Sequence, residues 1–147
     1  MSKILRGRCI VAGVAEGEAL VTSQPMGFNF GVDSESGRVI ERGHELEGMS
    51  LKDKVLIFPS GKGSTGGSFV IYSIVRSGVG PCAMINVESE AIIALGAIMA
   101  GIPMLDRLDG NPLEAVRTGD LVRIDAAAGT LEILKRHAVE TKGGLRP

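Results

Sequence analysis

FPSGKGSTGGSF, Phe58 to Phe69, is the stretch on which the reading of this chain turns. It follows the apolar run Val55-Leu56-Ile57 and precedes a second, Phe69-Val70-Ile71-Tyr72. Inside it, Gly61, Gly63 and Gly66 spell G-x-G-x-x-G, which at a strand-to-helix turn is the fingerprint of a dinucleotide-binding loop. Lys54 to Phe58 reads as a strand buried on both faces. Ser68 to Arg76 places Phe69, Ile71, Tyr72 and Val75 on a helical face.

The pattern repeats downstream. Cys82 to Val87 is a second buried strand. Ser89 or Glu90 opens a helix over Ala91–Ala100, which Gly101 and Pro103 stop, and Ile102–Leu105 forms a third short strand. Residues 54–105 therefore predict β-α-β-α-β. The flanks read as β: Ile4–Val11 and Glu18–Thr22, a hairpin of Phe28–Val32 and Arg38–Glu41 around Asp33–Gly37, and a hairpin of Leu121–Asp125 and Thr130–Leu134 around Ala126–Gly129. Asn111–Val116 starts a short helix. The expected fold class is α/β in the mixed α+β sense, with β-hairpins around a small α/β unit. One domain spans 1–136 and a polar tail 137–147. A doubly wound sheet would alternate β and α throughout, and this chain does not.

Composition narrows the function classes. The 147 residues carry a net charge of −1 with no basic stripe among aromatics, which argues against nucleic acid. Four Phe, one Tyr and no Trp leave an aliphatic core. Cys9 and Cys82 are too few for a disulfide scaffold or a four-ligand metal site; both lie in apolar runs and are expected as buried thiols. Met1–Arg6 lacks the apolar region of a signal peptide, and the longest apolar stretch, Ala91–Met99, is too short to span a bilayer. The expectation is a cytoplasmic protein with no membrane partner.

The glycine loop admits more than one ligand. In favour of a dinucleotide, it joins a strand to a helix, and Glu88 ends the next strand about 20 residues on, where a ribose-binding acid belongs. Against it, some fifty residues of β structure come first and no second mononucleotide half follows. A Walker A loop fails by count, because Leu56 stands where its first Gly is needed and Gly63 follows Lys62. What survives is backbone chemistry. Glycines permit positive φ and close approach, and the amides opening a helix favour a carboxylate or phosphate. Lys62 adds charge, and Ser64, Thr65 and Ser68 add hydroxyls. The plainer alternative is a structural turn in which one of those hydroxyls caps the helix. Elsewhere, His44 in a charged turn is a natural acid–base group but reads first as structural. Glu90 reads as a helix cap. Glu88 and Asp106 end strands on the edge that carries the loop, where either could line a pocket.

Three segments carry a resemblance. KVLIFPSGKGSTGGS (54–68), VESEAIIALGAIMAGIPMLD (87–106) and GRVIERGHELEG (37–48) are similar to the small subunit of the aconitase X family, over roughly residues 5–135. GDLVRIDAAAGTLEIL (119–134) is less specific, since other swivelling domains end similarly. The resemblance implies a swivelling β/β/α domain like the fourth domain of aconitases. It implies a two-chain hydro-lyase whose large subunit holds an iron or iron–sulfur centre, with no metal bound by this chain, and a small anionic substrate. The aconitase Gly-Ser-Ser-Arg loop matches Gly63, Ser64, Thr65 and Gly66, so Ser64 inherits the role of catalytic base. Lys62, Gly63, Thr65, Gly66 and Gly67 are the substrate-binding candidates. Gly66 replaces the carboxylate-binding arginine, which argues against a tricarboxylate. Members of the family dehydrate cis-3-hydroxy-L-proline or mevalonate 5-phosphate. The Gly66-Gly67 pair departs from the Thr-Val-Gly associated with archaeal loops and leans the expectation toward hydroxyproline. A non-catalytic module that binds an anion or nucleotide is the competing class.

Overall fold

A computed structural model describes residues 3–138. Among them are eight strands and three helices: β1 (Lys3–Arg6), β2 (Arg8–Val11), β3 (Val14–Val21), β4 (Val55–Phe58), α1 (Gly67–Arg76), β5 (Ala83–Asn86), α2 (Ala91–Ala100), β6 (Met104–Asp106), α3 (Pro112–Ala115), β7 (Leu121–Asp125) and β8 (Thr130–Lys135). The strands form one mixed sheet in the order β1-β8-β7-β3-β4-β5-β6-β2. The expected β-α-β-α-β unit supplies the parallel strands β4, β5 and β6, and β3 adds a fourth parallel strand beside β4. The β7–β8 hairpin is antiparallel, as expected.

The two ends of that order are β1 and β2, and Gly7 alone joins them. The sheet is therefore curled until its edges meet. This corrects the expectation of one strand over Ile4–Val11. Gly7 is where the chain passes from β8 to β6, and its N–H donates to Gly129 O at 2.8 Å. A Cβ here would lie 2.6 Å from the Asp106 carbonyl oxygen, so the crossing requires glycine. β3 also serves both halves: Val14–Glu18 pairs with β7, and Ala19–Val21 with β4.

Side-chain alternation then separates two cores. Val55, Ile57, Ala83, Ile85 and Leu105 point inward with Leu5, Val122, Ile124, Leu131 and Ile133, all buried. An eight-strand sheet closed in this way has an interior that side chains of this size fill. Leu56, Phe58, Met84 and Met104 point outward against Ile71 and Ile74 of α1 and Ile93 and Ala97 of α2. The segment between β3 and β4 closes this outer layer with Met26, Phe28, Val32, Val39, Leu46 and Leu51. The hairpin expected there survives only as a bridge between Val32 and Val39; its turn is held by Asp33, whose carboxylate accepts from Ser36 Oγ at 2.6 Å.

The cysteine expectation fails at Cys9, which is exposed on β2 beside a register irregularity in its pairing with β6; Cys82 is partly buried. At the C-terminus, His137 N donates to Asp120 Oδ1 at 2.7 Å while the His137 side chain is exposed. The expected tail beyond residue 138 lies outside the described residues.

Candidate functional site

The glycine loop leaves the C-terminal end of β4, and the segment after β3 is bonded along its first half. Met26 N donates to Ser60 O at 3.1 Å and Lys62 N donates to Met26 O at 3.0 Å. Phe28 is buried against Phe58, the residue that opens the loop, with ring centroids 6.1 Å apart. These contacts deliver Asn29 to the loop, where its Nδ2 donates to Ser64 Oγ. Ser64 and Thr65 are otherwise exposed.

Each glycine of the apparent fingerprint has its own local cause. A Cβ on Gly61 would collide with Ile93 and Glu90 at the start of α2. Gly63 has φ +96°, a conformation that L side chains rarely adopt. A Cβ on Gly66 would lie 2.7 Å from Asn29 Nδ2. Gly67 packs more loosely, with Ile92 3.3 Å from its Cβ position. None of these reasons involves a pyrophosphate.

The two helix N-termini differ. At α2, Glu90 is the N-cap as expected, and its carboxylate accepts from Ile92 N at 3.0 Å and Ile93 N at 2.8 Å. At α1 the cap is Gly66, with no side-chain bond and no acid in the first turn. Ser68, one of the possible caps, instead donates from Oγ to Ile92 O at 2.6 Å and ties the helices together. Gly67 N and Ser68 N turn back to Ser64 O and Thr65 O. The open donors therefore lie earlier than expected: among the described residues, the amides of Gly63, Ser64, Thr65 and Gly66 meet no protein acceptor. With the positive end of the α1 dipole behind them, they form an anion-favouring stretch of backbone.

Lys62 is partnered. Its Nζ lies 2.7 Å from Glu41 Oε2, with both side chains partly in solvent. Beside this pair is a shallow depression of about 250 Å³, lined by Gly27, Asn29, Phe30, Glu41, Lys62 and Gly63. Phe30 is 87 % exposed at a φ of +70°, so the turn holds a bare aromatic ring outward at the rim.

The other sequence candidates are engaged elsewhere. His44 is buried; its Nδ1 accepts from Leu46 N at 3.0 Å, and Nε2–H donates to Pro25 O at 3.1 Å. Its ring therefore holds the turn. Glu88 is forked by Arg107, which pulls its carboxyl below the ordinary value. Asp106 is fully buried and accepts from Arg8 Nε and Nη2, both at 2.8 Å, and from Ser89 N and Oγ at 2.9 and 2.8 Å. Neither acid reaches the loop as a free group, which corrects the expectation that they line the pocket.

Asp106 has a consequence for stability. Burial pushes its carboxyl up, but the Arg8 fork and the Ser89 bonds outweigh burial and hold it below the ordinary value. A carboxyl depressed on folding stabilises above its unfolded value and loses that contribution as pH falls through the folded one. Asp106→Ala, which removes these hydrogen bonds but leaves the Arg8 and Ser89 side chains within reach of solvent, is expected to cost about 1–3 kcal/mol at pH 7. The gap should narrow below about pH 4, near the reference carboxyl value. Urea unfolding of both proteins at pH 7 and at acid pH checks this, and an equal gap at both would show that the charge is not responsible.

Asn29 was not visible as a functional candidate. The available signal was Phe-Asn-Phe set between Gly27 and Gly31, a polar residue inside an otherwise apolar turn.

Among the described residues no three His, Cys, Asp or Glu side chains gather as a metal site, so the side chains present do not fit an iron or iron–sulfur centre. No helix among them is long and apolar enough to cross a membrane. The family described as the aconitase X swivel domain matches residues 4–133. A phosphomevalonate dehydratase small subunit of Methanocella arvoryzae is 51 % identical, over 88 % of this chain and 98 % of its own. One of the same name from Thermococcus gammatolerans is 48 % identical, over 88 % and 97 %. The crystal structure of Thermococcus kodakaraensis aconitase X in its holo form superposes with a TM-score of 0.86 at 45 % identity, covering 90 % of this chain and 99 % of that one. The chain belongs to the aconitase X swivel-domain family.

Proposed function

We propose that this chain is the small subunit of a two-chain dehydratase of the aconitase X type, acting on mevalonate 5-phosphate, with Ser64 as the catalytic base. The observation that carries the reading is the agreement of eight relatives, 42–51 % identical over nearly their full length, each named phosphomevalonate dehydratase small subunit. cis-3-Hydroxy-L-proline, the substrate favoured from the sequence, finds no support in these names. The Gly66-Gly67 pair that leaned that way has a packing explanation in Asn29 and Ile92. The names also favour an enzyme subunit over a non-catalytic anion- or nucleotide-binding module.

The chemistry follows from the substrate. Mevalonate 5-phosphate carries a proton on C2, beside the carboxylate, and a hydroxyl on C3. Ser64 first loses its own proton to solvent, and Oγ then accepts the C2 proton. The C–H electron pair becomes the C2–C3 double bond, and hydroxide leaves C3 with its own pair. The product is an α,β-unsaturated acid that keeps its phosphate. An unassisted serine is far too weak a base at neutral pH, so the alkoxide needs local donors. Asn29 Nδ2 supplies one directly, and the open amides of Gly63–Gly66 with the α1 dipole would add a favourable local field. Lys62, Gly63, Thr65 and Gly66 would anchor the anionic substrate, with Lys62 exchanging Glu41 for it; Gly67, buried with its N–H on Ser64 O, leaves the set of substrate-binding candidates. An iron or iron–sulfur centre on the large subunit would supply Lewis acidity.

The test is a substrate comparison with the co-purified two-chain complex. Mevalonate 5-phosphate should give a new ultraviolet absorbance from the conjugated acid, cis-3-hydroxy-L-proline should not turn over, and this chain alone should be inactive with both. Turnover of hydroxyproline alone would reverse the substrate assignment.

A further inference from the structure

We infer that Asn29 is a positioning residue for Ser64: it fixes the hydroxyl as a hydrogen-bond acceptor and so prepares the oxygen to carry negative charge. The inference rests on the reading of Ser64 as the base, and deepens it.

The geometry is built from several independent contacts. A carboxamide nitrogen only donates, so the bond from Nδ2 leaves the Ser64 proton directed away from Asn29, toward solvent or substrate. The donor is held on a short turn between two glycines. A Cβ on Gly27 would sit 3.1 Å from Lys62 O, and one on Gly31 would overlap Gly27 O, so the turn is tight against both the loop and itself. Val32 N donates to Phe28 O at 3.2 Å and closes it. Phe28, beside Asn29, is anchored in the core against Phe58. On the far side, Gly66 leaves space that the Asn29 carboxamide fills. Core, turn and loop thus fix the backbone that carries Asn29, and the space beside Gly66 admits its amide to Ser64. That is what a preorganised donor needs if it is to stabilise charge without reorganising during the reaction.

Asn29→Asp and Asn29→Ala separate the possibilities in the two-chain complex. Aspartate keeps the shape but only accepts, so it opposes an alkoxide; alanine removes the group. Both should lower kcat by about 10²–10³-fold, the effect of losing one donor to a developing oxyanion. KM should change by no more than about twofold, because Asn29 acts through Ser64 and does not hold substrate. An Asn29→Asp complex with wild-type kcat would overturn the inference, and so would a loss confined to KM. A second arm is independent of turnover. In ¹⁵N-labelled full-length chain, the Asn29 side-chain amide resonances should shift on Ser64→Ala while those of Asn86, in the neighbouring strand end, stay in place. Unmoved Asn29 resonances would remove the bond and the inference with it. An inactive wild-type complex with shifted resonances would instead remove the substrate reading and leave the Asn29–Ser64 pair standing.

Discussion

Ser64→Ala in the two-chain complex is expected to lower kcat by about 10²–10⁴-fold, the range of a positioned general base, and to leave the complex assembled. The hydroxyl is exposed and has a single protein partner among the side-chain bonds, Asn29. Its loss leaves no buried group stranded, so the folding cost should stay within about 0.5 kcal/mol. Co-elution with the large subunit in gel filtration and an unchanged melting temperature would confirm that the loss is chemical. Near-normal turnover would remove Ser64 from the mechanism, and the open amides at Gly63–Gly66 would then be only an anion site. If activity falls together with co-elution, Ser64 is an interface residue instead.

The parts of this chain that could be read in advance are those in which local sequence determines local structure. The apolar runs Val55–Phe58 and Ala83–Ile85 became parallel strands, and Glu90 capped α2 as its position before an apolar helix requires. Sheet closure was not legible, because it depends on which distant strands flank Gly7, and a lone glycine in an apolar run has many uses. The site divides in the same way. The loop, its hydroxyls and the open helix end follow from one continuous stretch. Asn29 is 35 positions from Ser64, and only the Met26–Lys62 pairing and the Phe28–Phe58 packing bring it there. The fates of Glu88 and Asp106 were hidden for a related reason: shared position on a strand edge says nothing about the arginines that reach them.

Gly66→Ala should separate stability from activity at the residue where an aconitase-like arginine is absent. Gly66 has φ −61° and ψ −17°, helical values that alanine adopts without strain, and a compatible Gly-to-Ala change stabilises by about 0.4–1 kcal/mol through the unfolded chain. The obstacle is steric, because the new Cβ would meet Asn29 Nδ2 at 2.7 Å. A flexible side-chain end can move aside at little cost to the fold, but moving it gives up the bond to Ser64. The expected result is a melting temperature equal to or above the wild type, with kcat lowered about 10²-fold, the effect of roughly 1 Å of misplacement in a catalytic group. Gly66→Arg carries the same Cβ, so it should lose mevalonate 5-phosphate turnover without gaining a tricarboxylate substrate. The decisive measurement is a double-mutant cycle. If Gly66 acts by leaving room for Asn29, then Gly66→Ala should add little to the loss already caused by Asn29→Ala. Full additivity would mean that Gly66 serves the substrate directly. The missing arginine would then mark substrate choice, where packing against Asn29 now accounts for it.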